Sequence, residues 1–343
     1  MSQLTRMPSE DDILLDVQGL SKSFEIRRHL SRRLVGTVRA VDDVSFQVRR
    51  GETVGLVGES GCGKTTTGRC ILRAVEPTEG RIHFFDGLRR IDLLALSGGP
   101  LRAFRRHMQL VFQDPYASMN PRMTVMQIVG EPLRIHRVAT GEQIEDRVRE
   151  LITAVGLDPK FLNRYPHAFS GGQRQRISIA RALALHPSLV VADEAVSALD
   201  MSMQAQILNL LKDLQGRMQL TYLFIAHDLS VVRHFSDRVL VMYAGRLVET
   251  GPTAQIFAAP KHPYTEALLS AAPRADPGAK SNRIILTGEV PDPANRPGGC
   301  PFHPRCRFAE PRCRNDVPPL REVAPDRWAA CHYSEHLEMD GVG

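Results

Sequence analysis

A chain of 343 residues is longer than one hydrophobic core usually supports, so a main domain with an appendage is expected. With 43% hydrophobic and 24% charged residues it has the composition of a soluble globular protein, and it has no apolar run of about eighteen residues to form a bilayer-spanning helix. A net charge of +6 suits an anionic partner without choosing one.

The first sixteen residues are polar and lack the apolar core of a signal peptide, which predicts a cytoplasmic chain. Basic charge then gathers at residues 27–33 (Arg27-Arg28-His29-Leu30-Ser31-Arg32-Arg33), a patch suited to lipid headgroups or nucleic acid and equally to a solvated loop. The apolar run at 53–57 leads into Gly58-Glu59-Ser60-Gly61-Cys62-Gly63-Lys64-Thr65-Thr66, a match to G-x-x-x-x-G-K-[ST]. Glycines let the backbone wrap phosphates, and a helix predicted over 64–75 points its first N–H groups at them. Lys64 is expected to reach the β- and γ-phosphates of a nucleotide, and Thr65 to place its hydroxyl on Mg²⁺.

Gln113 is a neutral donor and acceptor suited to Mg²⁺ or to the lytic water, at the start of a helical insertion predicted over about 114–172. Within it, apolar spacing predicts a helix over 142–155, capped by Gly156. Apolar runs at 188–192 and 221–226 end at Asp193-Glu194 and at His227. With 53–57 they read as central strands of a parallel sheet buried on both faces, where ligands gather at the carboxyl ends. Asp193 therefore suits Mg²⁺, Glu194 a general base for water, and His227 a hydrogen bond to the γ-phosphate. After Gly251-Pro252 the chain turns proline- and glycine-rich, which predicts an extended, loop-rich tail ending in disorder over 334–343. Four of the six cysteines, Cys300, Cys306, Cys313 and Cys331, crowd into that tail. In a cytosolic chain such crowding favours a metal over disulfides, although the spacing C-x₅-C-x₆-C-x₁₇-C fits neither a zinc ribbon nor a common ferredoxin. A tail with little core of its own also needs a staple.

These motifs together resemble the ATP-binding cassette (ABC) ATPases: Walker A at 58–65, the Q-loop Gln113, the signature Phe169-Ser170-Gly171-Gly172-Gln173, Walker B with Asp193 and Glu194, the D-loop Ser197-Ala198-Leu199-Asp200 and the H-loop His227. The resemblance implies an α/β P-loop NTPase cassette over 12–260, with a mostly parallel sheet core, a helical subdomain and an antiparallel β part. It implies a head-to-tail dimer in which Ser170 and Gly172 of one cassette cap ATP on the other, with Phe24 stacking on adenine. The chain departs from the family at Phe169, where Leu is commonest, and at Ala195, where Pro is usual. Neither change removes a reacting group.

The segments His262-Pro263-Tyr264-Thr265-Glu266-Ala267-Leu268-Leu269 and Cys300-Pro301-Phe302-His303-Pro304-Arg305-Cys306 resemble the C-terminal extension of oligopeptide/dipeptide importer ATPases, here 261–335. So does Phe112-Gln113-Asp114-Pro115-Tyr116-Ala117-Ser118-Met119-Asn120-Pro121-Arg122, the expected contact with a membrane subunit. The resemblance implies a peripheral ATPase on the cytoplasmic face of the inner membrane. Its implied partners are a similar, non-identical cassette, two transmembrane permease subunits and an extracytoplasmic substrate-binding protein, with no nucleic acid. It implies a [4Fe–4S] cluster on the four tail cysteines, with Zn²⁺ second and His303 and His332 as spare ligands. Nickel, glutathione or sugar importers are the alternative, then a soluble ABC ATPase of ribosomes or DNA. The intact Glu194 and His227 argue against a non-hydrolysing regulatory cassette.

Overall fold

In the computed structural model the described residues are 12–27, 34–87, 89–114, 116–271, 283–289, 291–292 and 294–342. Most of the basic segment at 27–33 and Pro115 therefore lie outside the described residues. The first described elements are an antiparallel ribbon of β1 (Ile13–Arg27) and β2 (Leu34–Arg49), while β3 (Thr53–Val57) leaves for a second sheet. Strands β4 (Glu79–Phe85) and β5 (Arg90–Asp92) complete the first sheet in the order β2-β1-β4-β5.

The second sheet carries the predicted core strands. β6 (Met108–Val111), β7 (Leu189–Asp193), β8 (Thr221–Ile225), β3 and β9 (Arg238–Tyr243) are parallel neighbours in the order β9-β3-β8-β7-β6. Strands β3, β7 and β8 are buried at every position, as continuous apolar runs covered on both faces must be. Side chains alternate between two cores: Tyr222 and Phe224 of β8 enter one, Leu223 and Ile225 the other.

Helix α1 (Lys64–Ile71) follows the phosphate loop and ends earlier than the predicted 64–75. Arg73 adopts a left-handed φ of 53°, and its guanidinium bonds the carbonyl of Leu93 and the carboxylate of Glu76, a chain reversal that apolar spacing does not signal. The short α2 (Gly98–Phe104) precedes β6. The insertion is helical as expected, with α3 (Val125–Ile135) and α4 (Glu142–Ala154) packing on α5 (Gly171–Leu183). Gly156, at φ 75°, caps α4, with the Gly156 and Leu157 amides bonded to Thr153 and Ile152. Helices α6 (Met201–Met218) and α7 (Leu229–Phe235) return the chain to the sheet.

The tail is more ordered than its composition predicts. β10 (Arg246–Pro252) runs antiparallel to β9, and after α8 (Thr253–Ala258), α9 (Pro263–Ala271) and α10 (Pro311–Asn315) the chain adds β11 (Arg321–Ala324) and β12 (Arg327–Ala329) to the same sheet. The expected disorder over 334–343 is not met through 342. Ser334 is fully buried, Asp340 donates its amide to Glu266, and the Val342 amide bonds the carbonyl of Phe257.

Candidate functional site

The carboxyl edge of the parallel sheet holds the predicted polar residues. β3 feeds the phosphate loop, whose last residue before α1 is Gly63 at φ 108°. A Cβ there would sit 2.3 Å from the carbonyl oxygen of Ala40, so only glycine lets the loop pass against β2. Gly63 brings no side chain to cap α1, which leaves the first helical N–H groups to an anion. Lys64 is 5% exposed and curls back over the loop, its Nζ donating to the carbonyls of Gly58 at 2.7 Å and Glu59 at 3.0 Å. Cys62 lies buried beneath it, and burial pushes its thiol up.

Thr65 Oγ1 donates to Asp193 Oδ1 at 2.8 Å, so the two predicted Mg²⁺ ligands from α1 and β7 meet. Burial raises the Asp193 carboxyl above the usual carboxylate range, opposed by the Thr65 hydroxyl and by Arg69 and Lys64. The next residue, Glu194, turns at φ 48°, an uncommon backbone for a non-glycine residue and a frequent one at functional sites. That turn aims its carboxylate at two other elements. Gln113 Nε2 donates to Glu194 Oε2 at 2.8 Å, and His227 Nδ1 stands 3.5 Å from the same oxygen. Gln113, Glu194 and His227, more than a hundred residues apart at the extremes, thus converge on one carboxylate that a water can approach.

The signature residues form a surface of their own. Ser170 and Gly171 are exposed at the start of α5, where Ser170 and Gln173 exchange side chain and backbone bonds in a capping box. Phe169 is buried edge-on against Phe161, with centroids 5.9 Å apart, which accounts for an aromatic ring at that position. Ala195 is also buried. Asp200 is the N-cap of α6, accepting from the amide of Met203 and the hydroxyl of Ser202. Phe24 is 42% exposed on β1 and registers with Val38, two residues before the Ala40 that touches Gly63.

Two contacts to the loop were not legible in the sequence. Glu59 of the phosphate loop pairs through both carboxylate oxygens with Arg305, and its amide donates to the hydroxyl of Tyr264. Both partners belong to the tail, over two hundred residues away, and no spacing pattern signals them.

The expected metal centre does not take shape. All six cysteines are free, and burial first, with neighbouring thiols adding, pushes Cys300 up to about 11 and Cys306 up to about 12. Cys300 and Cys313 are also joined by a backbone bond. Yet among the described residues no group of three or more His, Cys, Asp or Glu side chains converges to hold a metal ion, so the [4Fe–4S] and Zn²⁺ expectations gain no support. His303 and His332 bond backbone carbonyls instead.

Residues 41–197 match the family model described as ABC transporter, and 248–313 match Oligopeptide/dipeptide transporter, C-terminal region. The chain is 51% identical to the oligopeptide transport ATP-binding protein AppF of Bacillus subtilis, over 94% of this chain and 98% of that protein. It is 52% identical to the probable peptide ABC transporter ATP-binding protein y4tS of Sinorhizobium fredii, over 94% and 90%. Among solved structures, the dimeric ATP-binding cassette MJ0796 in a post-hydrolysis state with ADP and Pi superposes with a TM-score of 0.61 at 29% identity, covering 70% of this chain and 99% of that one.

Proposed function

The chain belongs to the family of ABC transporter ATP-binding subunits, and from that premise we propose that it hydrolyses ATP to drive import of di- and oligopeptides through membrane permease partners. The observation that carries the reading is the joining of Thr65 to Asp193 and of Gln113 and His227 to Glu194, at the sheet edge beside Lys64. Lys64 and the uncapped start of α1 bind the ATP phosphates, with Phe24 against adenine. Glu194 takes the proton of the attacking water, positioned by Gln113, and His227 contacts the γ-phosphate. Thr65, Asp193 and Gln113 would hold Mg²⁺, which when bound would supply neutralisation of phosphate charge.

Ser170 and Gly171, exposed at the start of α5, cap ATP on a second cassette together with the backbone of Gly172, which is itself buried against Met203. The partner cassette is a similar, non-identical one, and an extracytoplasmic binding protein delivers substrate. The ATPase sits peripherally on the membrane, held there by its permease partners; no helix among the described residues is long and apolar enough to cross a membrane. A resident metal on Cys300, Cys306, Cys313 and Cys331 is a second reading, favoured only by the backbone bond that brings Cys300 beside Cys313. Iron, sulfide and zinc analysis of anaerobically purified protein decides it.

The test of the main reading is reconstitution with the permease subunits and with purified binding proteins. A peptide-loaded binding protein should stimulate ATP hydrolysis several-fold. Stimulation only by a nickel, glutathione or sugar binding protein would replace the substrate, and failure to hydrolyse ATP at all would remove the function.

A further inference from the structure

We propose that Arg305 and Tyr264, both in the C-terminal extension, are positioning residues for the phosphate loop and set its hold on ATP through Glu59. The inference rests on the ATPase reading and adds residues outside the cassette motifs. Arg305 grips Glu59 as a fork, Nη1 to Oε2 at 2.7 Å and Nη2 to Oε1 at 3.1 Å. The Tyr264 hydroxyl accepts the Glu59 amide at 2.8 Å. Side chain and backbone of one loop residue are therefore held by two different parts of the tail.

The held residue matters because of what its carbonyl does. The Glu59 oxygen accepts from Lys64 Nζ at 3.0 Å and from the Cys62 amide at 3.3 Å. A shift of Glu59 thus moves the seat of the phosphate-binding lysine and the loop's own internal bond. The grip is also stiff. Arg305 is 7% exposed, also reaches the Tyr243 hydroxyl at 3.4 Å, and the Glu59 bond raises its guanidinium further above its ordinary range. Tyr264 is fully buried against Tyr243 and Phe302, with centroids 4.5 and 5.5 Å away. Such a packed anchor passes a displacement on to its partner and does not absorb it.

A loop held in its binding shape loses less freedom when it closes on phosphates, so releasing it weakens ATP binding while the reacting groups at Asp193 and Glu194 stay in place. The expected signature is a rise in KM with little change in kcat.

The experiment measures fluorescent-nucleotide affinity of the full chain and KM and kcat of the assembled transporter. The variants are Arg305→Ala, Arg305→Lys, Tyr264→Phe, Glu59→Gln and the Glu59→Gln/Arg305→Ala double, with melting temperature without nucleotide read for each. Arg305→Ala should weaken ATP binding about tenfold, the size of one charge-assisted hydrogen bond. Arg305→Lys should recover part of that loss, and the double should bind no worse than the worse single variant, as coupled partners do. A folded Arg305→Ala with wild-type affinity overturns the proposal, as do effects that simply multiply in the double. Should Arg305→Ala fail to fold, Tyr264→Phe, which removes one oxygen, decides: unchanged affinity overturns the proposal. Wild type and Lys64→Ala run alongside. Absence of ATP binding by the wild type defeats the ATPase reading, whereas binding that needs Lys64 and ignores Arg305 and Tyr264 defeats this inference alone.

Discussion

Replacing Glu194 with glutamine separates binding from chemistry at the proposed site. The amide keeps the size of the carboxylate and an oxygen to accept from Gln113 Nε2, now 2.8 Å from Glu194 Oε2. Both side chains meet the same backbone demand at φ 48°, so the fold should hold and melting should move by less than about 2 °C. The amide cannot take a proton from water. Loss of a positioned general base costs about 10²–10⁴ in rate, or about 3–5 kcal/mol on the barrier. The contacts of Lys64 with the loop are untouched, so ATP should still bind and, unhydrolysed, should hold two cassettes together. Phosphate release by the assembled complex at saturating ATP measures the first effect, and the mass of the ATP-bound species in solution the second. Turnover within about threefold of wild type would refute the assignment of Glu194 as base, because no error in the magnitude of a general base is that large.

Lys64→Ala should act on binding itself: losing a buried ammonium that meets phosphate costs about 10- to 100-fold in ATP affinity, read by nucleotide titration. The raised Asp193 carboxyl predicts a pH effect: its proton binds more readily than that of an exposed aspartate, so Mg²⁺ dependence should worsen as pH falls, starting above the ordinary carboxylate range. Mg²⁺ half-saturation of the ATPase at pH 5.5 and 7.5 checks the sign, and a lower requirement at the acid pH would contradict it. Glu249→Ala should cost about 3–5 kcal/mol of stability in urea unfolding, since it strands Arg327, 5% exposed, without its carboxylate. The Glu249→Leu/Arg327→Met double should recover only part of that, because the Lys261 and His262 amides also lose their acceptor.

The nucleotide edge was legible because each part of it is written locally. A run such as 221–226 declares a doubly covered strand, and the next residue, His227, inherits the strand end. The phosphate loop declares its turn and helix through glycines and lysine, and the helical insertion through Gly156 and the spacing of α4. What failed were features set by distant contacts. The early end of α1 depends on Arg73 meeting Leu93, and the added strands β11 and β12 depend on an edge that β10 offers 70 or more residues earlier. The pairing of Glu59 with Arg305 has no spacing to betray it. Cysteine crowding was visible, but whether sulfurs converge is a matter of side-chain geometry that sequence does not contain.

The expectation of a metal staple assumed that a proline-rich tail cannot bury enough to hold itself. The tail does not hold itself; it borrows the cassette. Tyr264, Leu269, Phe302, Cys300 and Cys313 enter the same core as Tyr243 and the helical insertion. Tail arginines then meet cassette carboxylates, Arg296 with the buried Asp42, Arg327 with the buried Glu249 and Arg305 with the partly exposed Glu59, at 2.6 to 2.8 Å. Desolvation makes such pairs poor sources of net stability, yet each one mismatched is costly. Their effect is therefore to fix where the tail lies more than how tightly it is held. Burial alone would push the Asp42 carboxyl up, but Arg246, Arg296 and Arg39 bring it below its ordinary range, so the site is committed to receiving cations. Three such points on strand β2, the phosphate loop and β10 define one placement for the extension, and one of the three is in the ATP-binding loop.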